Sequence, residues 1–355
     1  MPDDRTTVTE LGTALGTLGY SDLSGALARR PGELRIGPET WDRLEAMHAH
    51  GRFATEFRVA FRNGRAMLAA ADGLRGRTPR IIEWTGGRRA PGDEVAPIDL
   101  RIDHVYLISC KYDSDILANT SPARLFEGLL AMSGPWDRSD WFEVVAPDEL
   151  TALYAGCLTA TGLTELPPAP GLCTKEQHRE LRHALAGRRS YPSPETRAAY
   201  ARLCTTVSSE SARRWQRRME EADIGSELMV WRLLRIGSAP YFVLGMDRRT
   251  GQPVQYRIAS PWDWRDEFEV MDFDITAGEA GQPRVDWTCH YRARRRDSGR
   301  PGTVAGHVEI RWSHGRFAHP PEAKIYLDTP MDELPGYHRL SEVEEPQLTL
   351  WSTTG

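Results

Sequence analysis

Cysteine is scarce in this chain. There are five in 355 residues, at positions 110, 157, 173, 204 and 289, and no two are spaced as CxxC. A structural zinc site of the usual spacing is therefore not expected, and the sparse, odd set suits a reducing compartment. Long apolar runs are missing too: none approaches the roughly 18–20 residues that cross a bilayer. The opening MPDDRTTVTELG is acidic and polar, without the apolar stretch of a signal peptide. A cytoplasmic protein with no membrane partner is the expectation. Positive charge is not in surplus. Lysine and arginine number 45 against 50 acidic residues, a net charge of −5. That balance speaks against non-specific coating of nucleic acid, while leaving room for a local basic groove. Walker A, GxSxG and HExxH patterns are absent. The glycines of LGTALGTLG do not sit in a strand–helix phosphate loop. Internal repeats and low-complexity tracts are absent as well.

What is present is an ordinary globular composition, 40% hydrophobic and 27% charged, so long-range disorder is not expected. The length suits two domains. In the first 36 residues, Leu11, Leu15 and Leu18 have helical spacing. From about Pro38 a second helical stretch carries Leu44, Met47, Phe53, Phe57, Phe61 and Leu68, with Gly51 and Gly64 as potential breaks. PRIIEW (79–84) reads as a strand. APIDLRI and HVYLISCKY read as a hairpin turning at Asp103-His104. A helix capped at Thr120 or Ser121 follows, with Pro122 in its first turn. WFEVVA (141–146) reads as a fourth strand and PDELTALYAGCL as a helix. ELPPAPG (165–171) is the expected boundary. Residues 172–236 read as helical. The segment 237–355 reads as a mostly β module for substrate or partner binding. The expected fold is an α/β domain over 1–165 with a central mixed sheet, then the helical region and the β module, α+β overall.

Four residues in the first segment have the chemistry to cut a phosphodiester: Glu56 on the early helix, Glu83 at the end of the first strand, and Asp99 and Lys111 on the two arms of the hairpin. Carboxylates hold divalent cations that activate water and neutralise developing charge, and a lysine beside them stabilises the transition state. Folding about residue 104 sets Asp99 across from Ser109, and strand alternation puts Ser109 and Lys111 on one face. The Cys110 carbonyl is a further candidate oxygen ligand. Asp103 reads as a turn residue.

On these residues the segment 56–146 resembles the PD-(D/E)XK nuclease superfamily, whose core runs helix, strand, hairpin, helix, strand. The resemblance matches Glu56 to the helix glutamate and Asp99 to the "PD" aspartate, with Pro97 two residues ahead. Ser109-Cys110-Lys111 matches the (D/E)XK triplet, with serine replacing the acid. It implies a restriction-endonuclease-like fold and a metal-dependent endonuclease acting on DNA rather than RNA, with a place in restriction or anti-phage defence. It also implies catalytic Asp99, Lys111, Glu83 and Glu56, and Mg²⁺ or Mn²⁺ held by Asp99, Glu83, Cys110 and Ser109. The serine keeps one alternative open, a nuclease-fold protein that binds nucleic acid or a partner subunit without cutting; a nuclease that cleaves RNA is a further alternative. A homodimer or a partner in a defence system is a further expectation. In the β module, Arg294, Arg296, Arg311, Trp312 and Arg316 interleave arginine with an aromatic ring, a pattern suited to phosphate contact and base stacking. His307, Glu309 and His314 read as alternation along a strand rather than as a metal site. SARRWQRRMEE reads as a solvated helix.

Overall fold

The computed structural model describes residues 3–86, 98–112, 116–131, 140–186, 191, 193–222, 225–247, 250–278, 281–294 and 301–341. Two compact units result, each discontinuous in sequence: Met1–Ser114 with Arg235–Trp264 and Pro335–Gly355, and Asp115–Leu234 with Arg265–Leu334. In chain order the first unit begins with α1 (Asp4–Gly16), α2 (Leu23–Arg29), β1 (Leu34–Arg35), α3 (Pro38–Ala49) and α4 (Ala54–Ala69). Then come β2 (Ile82–Trp84), β3 (Leu100–Ile102) and β4 (Tyr106–Lys111). The second unit begins with β5 (Ile116–Thr120), α5 (Pro122–Phe126), α6 (Trp141–Val145), α7 (Pro147–Thr161), α8 (Lys175–Leu185), α9 (Pro194–Glu221) and α10 (Ser226–Leu233). The chain returns to the first unit with β6 (Tyr241–Met246) and β7 (Pro253–Ile258). Next are α11 (Pro261–Glu267), then β8 (Phe268–Ala277), β9 (Arg284–Ala293), β10 (Pro301–Arg311) and β11 (Glu322–Leu327) of the second unit, and β12 (Tyr337–Arg339) of the first.

The protein is α+β. A mixed seven-stranded sheet runs β1-β2-β3-β4-β6-β7-β12, and an antiparallel five-stranded sheet runs β5-β11-β10-β9-β8; eleven α-helices are found among the described residues. None of the described helices is long and apolar enough to cross a membrane.

The first unit is organised around α1. Asp3 caps it by accepting from the Thr6 amide (2.7 Å), and every residue from Thr7 to Gly16 is buried. Helix α1 crosses α4 at close range because both carry glycine at the contact. A Cβ on Gly16 would run into the Phe61 carbonyl oxygen, and one on Gly64 into that of Thr13. This explains LGTALGTLG, and it corrects the expectation that Gly64 breaks a helix. Gly51, at φ +68°, does lie in the break between α3 and α4, whereas Gly64 lies inside α4 as a contact point.

A buried polar chain ties these helices to the sheet. Asn63 donates to the Gly245 carbonyl (2.7 Å) and to the Tyr112 hydroxyl (3.1 Å), and its own oxygen accepts from Gln255 (2.9 Å). The Tyr112 and Thr13 hydroxyls are 2.6 Å apart, and Thr13 donates onward to the Thr9 carbonyl (2.8 Å). Each buried group is therefore satisfied by the next. Asn63→Ala removes the bonds to the Gly245 carbonyl, the Tyr112 hydroxyl and the Gln255 amide at once, and is expected to cost about 2–4 kcal/mol. Urea denaturation checks this; a loss under about 1 kcal/mol would mean that water replaces the amide.

Three sequence expectations change. WFEVVA is helix α6, not a strand. Asp140 caps it through the Phe142 amide (2.9 Å), Trp141 donates to Ser211 (2.9 Å), and short apolar runs do not reveal their period. The stretch 165–171 lies within the second unit rather than between units: the Pro167 carbonyl accepts from Tyr154 (3.0 Å), and Pro170 is buried. Strands β6 and β7, read as part of the C-terminal module, instead complete the first unit's sheet. Strand β6 pairs in parallel with β4, Ile108 with Phe242 and Lys111 with Gly245. Parallel partners are joined by long crossovers and leave no local turn signal.

In the second unit, Trp215 of α9 is fully buried, edge-on to Phe126 (5.5 Å) and Phe273 (6.2 Å). The arginines flanking it are paired as a solvated helix requires: Arg213 with Glu210 (2.6 Å), Arg214 with Glu127 (2.7 Å) and Arg217 with Glu221 (3.6 Å).

Candidate functional site

The hairpin β3–β4 forms as its sequence suggests. Asp103 and His104 both adopt positive φ (49° and 58°), and Leu100 pairs with Ile108. The Asp103 carboxylate accepts from the Arg80 and Ile81 amides (2.8 and 3.0 Å), so it is a turn residue.

Asp99 departs from the expected register. Its amide donates to the Ile108 carbonyl (2.8 Å), although Ile108 is already the partner of Leu100. Two residues thus oppose one, a bulge that re-aims the Asp99 side chain. Its carboxylate accepts from the Cys110 amide (2.6 Å) in place of a backbone carbonyl. From the other side, the Thr85 amide holds the Asp99 carbonyl (3.0 Å).

The acid that joins Asp99 is Glu10 of α1. Glu10 is 6% exposed and accepts a hydrogen bond from the Trp84 indole nitrogen. Burial pushes its carboxyl up to about 7, and the negative charge of Asp99 adds to the rise. The Cys110 thiol is driven well above its ordinary value by burial and then by the charges of Asp99 and Glu10. Helix, bulge and strand therefore bring a buried Glu10 within electrostatic reach of the half-buried Asp99 and Cys110, with Trp84 as the donor that orients Glu10.

The other expected ligands are elsewhere. Glu56 on α4 pairs with Arg5 (2.8 Å). Glu83 pairs with His104 (3.1 Å), with its side chain 44% exposed. Ser109 is fully buried and its hydroxyl has no partner among the described residues. Alternation along β4 sends Ser109 and Lys111 to the face opposite Cys110, so the bulge parts Asp99 from the serine it was expected to face. Pro97 lies outside the described residues.

Glu10 was overlooked because apolar periodicity weighs the leucines around it. The signal was its isolation: it is the only charged residue between Arg5 and Asp22, within a helix otherwise made of small and apolar residues and threonine.

In the second unit, Arg311, Trp312 and Arg316 of the arginine–aromatic set are committed to internal contacts. Arg311 binds Glu309 (3.0 Å) and Tyr326 (3.1 Å). Trp312 packs between Phe142 and Phe317, both at 4.8 Å, and Arg316 lies over Tyr191 (4.2 Å). Arg294 is exposed and donates to the Phe268 carbonyl (3.2 Å); Arg296 lies outside the described residues. His307 meets Asp328 (2.8 Å) rather than His314, and with Asp286 these form an Asp-His-Asp group. The Arg284 guanidinium reaches Asp286 (2.6 Å) and Asp328 (3.6 Å), so the negative charge there is already answered.

Comparison with protein-family models, with curated proteins and with solved structures gave no match.

Proposed function

We propose that the first unit is a metal-dependent nuclease centre of the PD-(D/E)XK kind, with DNA as its substrate. One arrangement supports this: the carboxyl of Glu10, buried and held by the Trp84 indole, lies within electrostatic reach of Asp99 on a hairpin bulge, whose charge adds to the rise that burial gives it. Two acids in a low-dielectric site repel unless a proton or a cation stands between them. Carboxylate oxygens are hard ligands and suit Mg²⁺ or Mn²⁺, which displace the proton at neutral pH. The order of elements is in keeping: helix, strand β2, hairpin β3–β4, a helical stretch, and strand β6 parallel to β4.

Glu10 and Asp99 are the residues to hold such an ion, with the Cys110 carbonyl as a third candidate. When bound, the ion supplies charge neutralisation and an activated water. Trp84 fixes the Glu10 carboxylate, and the Cys110 amide fixes that of Asp99, so neither has to reorganise.

The test is a panel of plasmid, single-stranded DNA and RNA with Mg²⁺, Mn²⁺ or EDTA. Wild type is expected to cut DNA with metal and not with EDTA, and Asp99→Asn to lose cutting by roughly a hundredfold or more. Robust cutting by Asp99→Asn would sink the assignment. Cutting confined to RNA would keep the centre and change the substrate. Ser109, which stands where the (D/E)XK acid is expected, favours a second reading, in which this fold binds nucleic acid or a partner subunit without cleaving; metal-independent binding with every substrate intact would establish it.

A further inference from the structure

A second concavity in the first unit has a different chemistry. A cavity of about 700 Å³ opens between α2, α3 and α4. Its rim carries Arg52, Arg58, Arg62 and Arg65; its inner wall is Leu23, Phe57 and Phe61. Along α4, residues 58, 62 and 65 fall on one face, with rises of about 6 and 10 Å from the first to the second and third.

The charges are unbalanced. Arg58 and Arg62 are exposed and make no ion pair or hydrogen bond among the described residues. Arg65 donates to a neutral acceptor, the Ser21 carbonyl (3.3 Å). Arg52 pairs with Asp4 (2.9 Å). Asp22 is the only acid in the lining among the described residues, and its carboxylate is occupied by the Gly25 amide (2.7 Å) and Ser21 (3.0 Å) as the cap of α2. His48 faces the edge of Phe57 at 5.5 Å. Like charges four residues apart destabilise a helix, and this row has no acid interleaved with it. A polyanion relieves that repulsion, and guanidinium groups are matched to phosphate oxygens. Bare polyphosphate would leave the Leu23–Phe57–Phe61 wall uncovered. A ligand that fills a cavity of this size and satisfies both surfaces joins an apolar, planar body to a phosphate chain.

We propose that this cavity binds a nucleoside polyphosphate, with Arg58, Arg62 and Arg65 on the phosphates and the base against the apolar wall. The site is separate from the Glu10–Asp99 centre and does not depend on it.

The test is calorimetric titration of the full chain at low salt with EDTA present, which keeps the acidic centre out of the measurement. The probes are ATP, inorganic tripolyphosphate, adenosine, and an oligonucleotide without terminal phosphate. ATP is expected to bind most tightly, tripolyphosphate more weakly and adenosine not detectably. Arg58→Glu/Arg62→Glu is expected to weaken ATP by well over tenfold, and Arg62→Gln by roughly tenfold, with unchanged melting temperatures. Arg62→Gln keeps the test open should the double reversal disturb folding. Equal ATP affinity in wild type and Arg62→Gln overturns the proposal, as does an absence of ATP binding at millimolar concentration. Tripolyphosphate binding as tightly as ATP overturns the nucleoside part. An oligonucleotide that binds while ATP does not makes the row a strand-tracking surface and also overturns it.

Discussion

Glu10→Gln should make the protein more stable at pH 8 and unable to cut. Glu10 holds its proton to about pH 7 in the fold, against about 4.5 for an ordinary glutamate. Between those values the folded state binds more protons than the unfolded one. Stability therefore falls as pH rises from about 4.5 to about 7, and stays lower above it. At about 1.4 kcal/mol per pH unit the loss is roughly 3 kcal/mol. Glutamine keeps the oxygen that accepts from Trp84 and carries no charge to bury. The variant should therefore match wild type near pH 4. At pH 8 it should melt higher by roughly 6–12 °C, at about 2–4 °C per kcal/mol for a unit of this size. Metal sharpens the contrast. Mg²⁺ or Mn²⁺ at pH 8 should raise the wild-type melting temperature, because the ion binds only the folded site; in Glu10→Gln that rise should largely vanish, with cleavage reduced by roughly a hundredfold or more. Melting curves at pH 4 and pH 8, with and without metal, measure all of this. A Glu10→Gln protein destabilised at pH 8 would show that the buried acid is not under charge strain.

Gly64→Val is expected to unfold the first unit. In an exposed helix, replacing glycine with alanine gains about 1 kcal/mol. Here even alanine puts its Cβ into the Thr13 carbonyl oxygen, and the reciprocal position, Gly16, faces the Phe61 carbonyl oxygen. Neither obstacle is a side chain that can swing away. The helices must separate, and the core built on Leu11, Leu15, Phe57 and Phe61 opens with them. Overpacking alone costs about 1–3 kcal/mol, before the lost core contacts. Gly64→Ala should lose at least that by chemical denaturation, Gly64→Val should not reach a folded first unit, and Gly32→Ala, with open space around it, should be near neutral. A Gly64→Ala protein as stable as wild type would mean that α1 and α4 are not locked at this distance.

What the sequence made legible was local. The Asp103-His104 turn, the arms of its hairpin, and the strands of the C-terminal half announce themselves through alternation and turn residues, and all are present. The Pro122 helix start was also readable. What could not be read depended on partners distant in sequence. Strand β6 belongs beside β4 because Gly245 permits the approach to Lys111, and nothing near residue 245 signals that. Glu56 was the plausible helix acid by position, yet α1, rather than α4, brings its glutamate to the Asp99 bulge. The bulge itself moved Asp99 from Ser109 to Cys110. A shift of one residue has no signature in composition or periodicity, yet it decides which side chains share a site.

The parallel pairing of β4 with β6 also has a consequence for biosynthesis. When Lys111 has left the ribosome, β4 has β3 on one edge and nothing on the other. Its partner begins at Tyr241, and the intervening chain supplies the helices and one strand of another unit first. At about 5–20 residues per second the apolar edge of β4 waits on the order of ten seconds. A fragment ending near residue 165 would never receive β6. It is expected to accumulate as aggregate or on chaperones, while the full chain closes that edge late in synthesis.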